Sequence, residues 1–417
     1  VEVIKTKSNG TEEDTDVITA SIKSSVNDKT EWSKRLGNKG YLGYFSYETP
    51  NGNGTIEKSG GNLTYSQTDI ELPSSQVNFA LERNYNSQSR INNMFGIGWS
   101  DSFHKELYKI GANGDIIFRD SDGSMYKFSK NTEGNYTCNE TKDYELIETD
   151  KTEKYKTEDK EGKTEIYELR DYYEITTKDN TIYRFNKSGQ LIAITNPVEQ
   201  VENPYNTFLI YTYDNKGRLS NVMSNSTLAI DLKYKSEIGS DALLLSNIKL
   251  PDETTLSYNY ENNYLTEFKH SSGIMESVSY KFKYNTDKYL SEVKDAEGNP
   301  YSISYTGEKA NIVTYPNGET YNLAYTSGTK TSMTKKNENK VEVYTESTEF
   351  DSNTGKITKE TDASGNIKEY FYKNSNEFLV TSTKETVQYQ ELDGSNIVKF
   401  KTKVLETKTE YDDNENI

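Results

Sequence analysis

The sequence predicts an all-β protein: antiparallel hairpin repeats added edge to edge into a long, spiralling sheet, behind a polar N-terminal segment. Three observations lead there. Aromatic–turn–glycine segments recur through the C-terminal half, the runs between them alternate apolar and polar residues, and no stretch carries the 3.6-residue apolar stripe of a packed helix.

The recurring segments read YRFNKSGQL (Tyr183 to Leu191), YDNKGRL (Tyr213 to Leu219), YNTDKYL (Tyr284 to Leu290), FDSNTGKI (Phe350 to Ile357), YKNSNEFL (Tyr372 to Leu379) and YDDNENI (Tyr411 to Ile417). Looser copies are YENNYL at Tyr260 and TYPNGETY at Thr314. A second kind of turn lies between them, with Gly298 in DAEGNPY and Gly365 in DASGNIKEY. Sets such as DNKG, with Asp214 and Gly217, or NTG, with Gly355, supply the positive φ and local side-chain bonds that reverse a strand. The intervening runs read as strands with one buried face. Val278, Tyr280, Phe282 and Tyr284 alternate with Ser279, Lys281 and Lys283; Tyr301, Ile303 and Tyr305, and Tyr321, Leu323 and Tyr325, do the same.

Two strands of about six residues and two turns of about four make a unit of roughly 20 residues. The better copies step by 22 (Phe350 to Tyr372) and 24 (Tyr260 to Tyr284). A single hairpin cannot bury its face alone, so successive hairpins must add to one another and the sheet must coil. The last copy stops at its aliphatic position, which would leave an open edge. The expectation is that these 417 residues belong to a longer polypeptide.

Composition narrows the function classes. The formal charge is −17 and only 32% of residues are hydrophobic, yet there are 34 Tyr against 14 Phe, unlike the aromatic-poor signature of an acidic disordered chain. The acidic balance without a basic tract argues against a nucleic-acid surface. No run approaches the roughly 18 apolar residues of a membrane span. One Cys (Cys138) and two distant His (His104, His270) cannot build a Cys/His zinc or iron–sulfur centre, so no metal and no cofactor are expected.

Four segments are drawn from composition and pattern. Residues 1–58 are polar, with an amphipathic stretch around Trp32 and no clear fold signature; 59–135 hold dense turns and short strands; 136–180 carry mixed charge interleaved with Tyr and read as solvated strands; 181–417 carry the repeats.

The pattern YDxxGRL with DxxGNxxxY, at roughly 20-residue steps, resembles the YD repeat of the RHS/YD-repeat superfamily, which includes bacterial polymorphic toxins, wall-associated proteins and the animal teneurins. The segment LERNYNSQSR … FGIGWSDSF … DSDGSMYKF resembles the block that opens such arrays, and places Tyr85, Asn86, Ser87, Gly96, Gly98 and Trp99 on it. The repeat positions are Tyr213, Asp214, Gly217, Leu219, Tyr284, Leu290, Gly298, Gly355, Gly365 and Tyr411. The resemblance implies a hollow β-cocoon which, in toxin members, encloses a C-terminal effector. Many members close their array with a DPxG-type core and a self-cleaving aspartyl site; this sequence has no Asp-Pro step, so neither carries over. The copies are degenerate, with Phe350 for Tyr, Asn285 and Lys373 for Asp, and Asn263 and Asn376 for Gly.

Candidate chemical sites give way to plainer readings. Asp120-Ser-Asp122-Gly123 could start a calcium loop, but the closing acidic position is Asn131, so a hairpin tip fits better. His104 beside Ser100, Asp101 and Ser102 is sequence adjacency and not a triad; His270 reads as a histidine before a turn. No carboxylate pair is singled out as a glycosidase site. Tyr on the repeat strands could stack on sugars, yet its tie to one position beside the turn favours cross-strand packing.

The expected function is a non-enzymatic shell of a secreted or cell-surface bacterial protein, whose partner is the remainder of its own polypeptide, a C-terminal effector. The alternative is a carbohydrate-binding or adhesive protein with cell-wall or cell-surface glycans as partners; a hydrolase within residues 1–135 has only His104 in its favour.

Overall fold

The computed structural model describes residues 2–8, 13–19, 34–72, 79–158, 164–195, 208–224, 229–236, 238–272, 277–373, 378–392 and 398–411. Trp32, Asn376 and the last repeat copy beyond Tyr411 lie outside them. Apart from a 3-10 turn at Ser240–Leu243, the regular structure of the described residues is β-strand. The chain divides into two units, Val1–Lys34 with Ser66–Lys281 and Arg35–Tyr65 with Phe282–Ile417.

In the first unit the long hairpin Tyr144–Glu158 and Thr164–Thr177 begins a meander. Thr164–Thr177 pairs with Ile182–Phe185, and each strand then pairs antiparallel with the next through Leu191–Thr195, Phe208–Tyr213, Leu219–Ser224, Ala229–Tyr234, Leu245–Lys249, Thr255–Glu261, Tyr264–Ser271 and Val278–Tyr284. Glu106–Ile110, Asp115–Arg119, Met125–Lys130 and Tyr136–Cys138 form a separate four-stranded sheet. Phe79–Asn86 pairs with Trp99–Asp101.

Alternation explains the strands, and packing explains where it fails. Ala229–Tyr234 buries Ile230 and Leu232 and exposes Asp231 and Lys233, as period two requires. Leu191–Thr195 instead is buried at every residue. Phe208–Tyr213 is covered on both faces, by Tyr155 against Phe208 at 5.0 Å and Phe103 against Tyr211 at 6.1 Å. Within residues 136–180, Tyr136–Cys138, Tyr144–Glu158 and Thr164–Thr177 are strands, with Tyr155, Tyr167, Leu169, Tyr172, Tyr173 and Ile175 buried.

In the second unit each strand again pairs with its successor, through Pro300–Thr306, Lys309–Thr314, Thr320–Ser327, Lys330–Lys336, Glu342–Phe350, Ile357–Thr361, Ile367–Tyr372, Val380–Leu392 and Val398–Lys408. The hairpin Tyr44–Thr49 and Gly52–Glu57 packs on part of this sheet, with Phe45 against Tyr321 at 4.9 Å. Beyond the strands it covers, burial falls away, and Val398–Lys408 is exposed throughout.

The compositional segments do not follow these units. Residues 44–57 are polar on average, yet Phe45, Tyr47 and Ile56 are buried while Ser46 and Glu48 face water. Composition averages the two faces of a strand and hides an amphipathic hairpin of two six-residue strands. Ile56→Ala should therefore destabilise the second unit by about 2–4 kcal/mol in urea unfolding, whereas Val341→Ala, at an exposed position, should stay within about 0.5 kcal/mol. Equal effects would mean that the hairpin is not part of that unit's core.

Candidate functional site

The repeat turn is built by one side chain. Asp214 Oδ1 accepts the backbone N–H groups of Lys216 and Arg218, each at 2.9 Å. Asp214 N–H donates to Arg218 O (2.9 Å), and Gly217 N–H donates back to Asp214 O (2.8 Å). This is a three-residue hairpin loop in which the residue before the returning strand must have positive φ; Gly217 has +75°. Gly298, Gly355 and Gly365 have positive φ as well. Asn186, Asp295 and Asp362 repeat the double acceptance. In the degenerate copy Asn285 keeps its acceptor to Tyr289 N–H, and Lys288 takes the positive φ at +67°. Replacing Asp by Asn preserves the oxygen that the turn needs, which is why the geometry survives the altered motif.

The repeat tyrosine then ties one unit to another. Tyr213 donates its hydroxyl to Leu191 O at 2.8 Å. Tyr234 donates to Leu219 O, Tyr305 to Leu290 O, Tyr325 to Ala310 O and Tyr372 to Ile357 O, each across 15 residues at 2.6–2.8 Å. Tyr411 donates to Val380 O at 2.9 Å. Burial pushes the phenols of Tyr213, Tyr234 and Tyr325 up, and that of Tyr372 to about 12, so the hydroxyls remain donors.

Two further positions, missed in the sequence, complete the unit. Pairing skips one residue just after the aliphatic position, at Ser220, Ser246, Thr266, Asn311, Thr358 and Thr381. Such a bulge bends and twists its strand. The bulged hydroxyls of Ser220, Thr266 and Thr381 donate to Thr212 O, Asn259 O and Phe371 O. Just before the aliphatic residue, Arg218, Lys309 and Lys356 lie 4.5–4.6 Å from the rings of Tyr234, Tyr325 and Tyr372, while Tyr289 stacks on Tyr305 at 5.0 Å. The hydroxyl residues after Leu219, Leu265 and Leu290, and the recurring 15-residue step, were the available sequence signals.

The opening block converges on buried polar groups. Arg83 and Asp69, both fully buried, form a two-pronged ion pair at 2.5 and 2.7 Å, and Tyr258 donates to Asp69 at 2.8 Å. The guanidinium lies 4.9–5.7 Å from the rings of Trp99, Phe268, Phe95 and Tyr258. Tyr85 packs on Trp99 at 5.4 Å, Asn86 donates to Asp122 O at 2.8 Å, and Ser87 is buried beside them in sequence. A Cβ on Gly96 would stand 2.3 Å from Asn263 O, and one on Gly98 would stand 2.8 Å from the Tyr85 ring. Glycine is required there by close approach. The opening-block residues thus meet in one place, whereas the described repeat residues stand at successive turns.

The remaining candidates have local roles. Asp120 accepts from Lys105, Tyr144 and Ser121 N–H, and its turn closes through Gly123 N–H to Asp120 O. Among the described residues, no group of three His, Cys, Asp or Glu side chains is placed to hold a metal ion, and no helix is long and apolar enough to cross a membrane. Cys138 is buried. His104 Nδ1 lies 3.1 Å from Asp101 Oδ1. Burial alone would lower the His104 pKa, but the Asp101 charge and hydrogen bond, with Glu106 beyond, raise it above its ordinary 6.5.

Two outcomes follow from these contacts. Tyr213→Phe and Tyr305→Phe should each lose about 1 kcal/mol in urea unfolding, since each leaves a strand carbonyl without its donor, while Tyr389→Phe on an exposed edge should lose none. Because the folded His104 pKa is raised, its stabilisation is complete below about pH 6.5 and fades as pH climbs through the folded value. The stability difference between the parent and His104→Asn should therefore shrink on going from about pH 6 to pH 9; a gap independent of pH would refute the ion pair.

Residues 55–128 match a family described as a domain of unknown function (DUF6531). Over 291 residues the chain is 26% identical to the tRNA nuclease WapA of Bacillus subtilis strain 168, a stretch covering 65% of this chain and 11% of that protein. The tRNA3(Ser)-specific nuclease WapA of Bacillus spizizenii is 25% identical over the same length. The chain thus spans about a tenth of these curated relatives. Among solved structures, the Photorhabdus luminescens Tc holotoxin pore aligns over 90% of this chain and 20% of its own (9% identity, TM-score 0.37). The TcdB2-TccC3 crystal structure aligns over 84% and 23% (11% identity, TM-score 0.32). The opening block and the tyrosine-clamped hairpins of the described residues, with these matches, make the chain similar to proteins of the RHS/YD-repeat superfamily.

Proposed function

We propose that this chain is a stretch of containing wall in a toxin-related RHS/YD-repeat protein, and that the wall encloses and delivers a C-terminal effector carried by the rest of the polypeptide. The observation that carries the reading is the commitment of the repeat tyrosines. Their hydroxyls are bonded to strand carbonyls and several of their rings are covered by Arg218, Lys309, Lys356 or Tyr289. Side chains used in this way hold a sheet together and are not free to stack on sugar rings.

The role assigned to this stretch is mechanical and non-enzymatic. A continuous hydrogen-bonded wall excludes proteases and bulk solvent from whatever lies behind it. The names of the curated relatives, tRNA nucleases, support a link to toxins and, with it, a place outside the producing cell.

The test is limited proteolysis of the whole natural polypeptide. Its C-terminal domain should resist digestion that degrades the same domain prepared alone, and a combined Tyr213→Phe, Tyr305→Phe, Tyr372→Phe variant should lose that resistance first. Equal digestion of the enclosed and isolated domain would end the containment reading.

A further inference from the structure

Four Asn–Gly steps fall within the described residues: Asn51–Gly52, Asn53–Gly54, Asn113–Gly114 and Asn317–Gly318. In such a step the glycine amide nitrogen can attack the asparagine side-chain carbonyl, because no Cβ hinders its approach. Whether it does so depends on what holds the two groups.

The four steps are held differently. Gly318 N–H donates to Tyr315 O at 2.9 Å, and Asn317 Oδ1 accepts from Glu319 N–H at 3.0 Å, so both reacting groups of that step are engaged. Gly52 and Gly54 stand in the ladder of the Tyr44–Thr49 hairpin, opposite Thr49 and Tyr47, and Gly54 lies under the Tyr47 ring. Asn113–Gly114 sits at the tip joining Glu106–Ile110 to Asp115–Arg119. There Gly111, Ala112 and Asn113 are exposed, and among the described residues no hydrogen bond holds the Asn113 side chain or the Gly114 N–H. A Cβ on Gly111 would meet nothing within 4 Å.

We infer that Asn113–Gly114 is a spontaneous modification site, at which the folded chain deamidates, while Asn317–Gly318 is shielded by its turn. The Gly114 nitrogen bonds to Asn113 Cγ, the Cγ–Nδ2 bond breaks, and the side-chain nitrogen leaves as ammonia with the Gly114 proton. Water then opens the five-membered imide at either carbonyl, leaving aspartate or isoaspartate. The sum is Asn plus water giving an acid plus ammonia, with no oxidant or cofactor. Each event adds one negative charge to the hairpin tip, and the isoaspartate form lengthens the backbone of the turn by one carbon.

The experiment compares folded and urea-unfolded protein during incubation at mildly alkaline pH, followed by peptide mass spectrometry. Peptide 110–119 should become one mass unit heavier at nearly the same rate in both states. The Asn317 peptide should react at least about tenfold more slowly folded than unfolded, because its amide is released only by local opening. Asn113 slowed as strongly as Asn317 in the folded chain, or Asn317 reacting at its unfolded rate, would overturn the assignment.

Discussion

The structure depends on a bond that belongs to no ladder: the tyrosine hydroxyl given to a strand carbonyl of a preceding unit. Several of the described repeat strands carry a bulge beside the turn, and a bulge interrupts regular pairing where the strand is bent most. A buried carbonyl left unpaired at that point is costly, and a long half-polar side chain satisfies it while its ring fills the space over the neighbouring strand. The stacking of Arg218 on Tyr234, or of Tyr289 on Tyr305, fixes that ring from above. Neighbouring units thereby stabilise each other, as expected of quasi-one-dimensional repeats.

The opening block solves a different problem. It carries a cation, Arg83, into a region without solvent, where an unpaired charge is not tolerated. Asp69 neutralises it, Tyr258 from the repeat strands completes the acceptor, and four rings surround the guanidinium. The array is thereby fastened to its first hairpins by a geometry that apolar contact alone would not specify. His104 and Asp101 make a smaller pair of the same kind nearby in sequence.

Much of the repeat was legible because its signals are local. An Asx oxygen, a residue of positive φ and an alternating run lie within ten residues of one another, as at Asp214, Gly217 and Leu219. Degenerate copies remained readable for the same reason, since Asn285 supplies the same oxygen as Asp214. The Asp69–Arg83–Tyr258 cluster was not legible: its members are 14 and 189 residues apart, and charged residues in so polar a chain give no sign of burial. The hairpin at 44–57 escaped because two short strands with alternating faces look merely polar. The carbonyl partners of the tyrosines were hidden because a backbone acceptor leaves no mark on residue type.

Local chemistry alone thus determined that the chain would fold as turns and strands in meander order, and that Gly217 and its counterparts would reverse them. Those choices are made by φ, by side-chain oxygens and by period two, all of which are written in adjacent residues. Tertiary structure decided which faces are dry, which cation is enclosed, and which carbonyl each tyrosine holds. These outcomes depend on what packs against each strand, and the energy of a buried charge or an unmet acceptor is defined only when distant segments have closed around it.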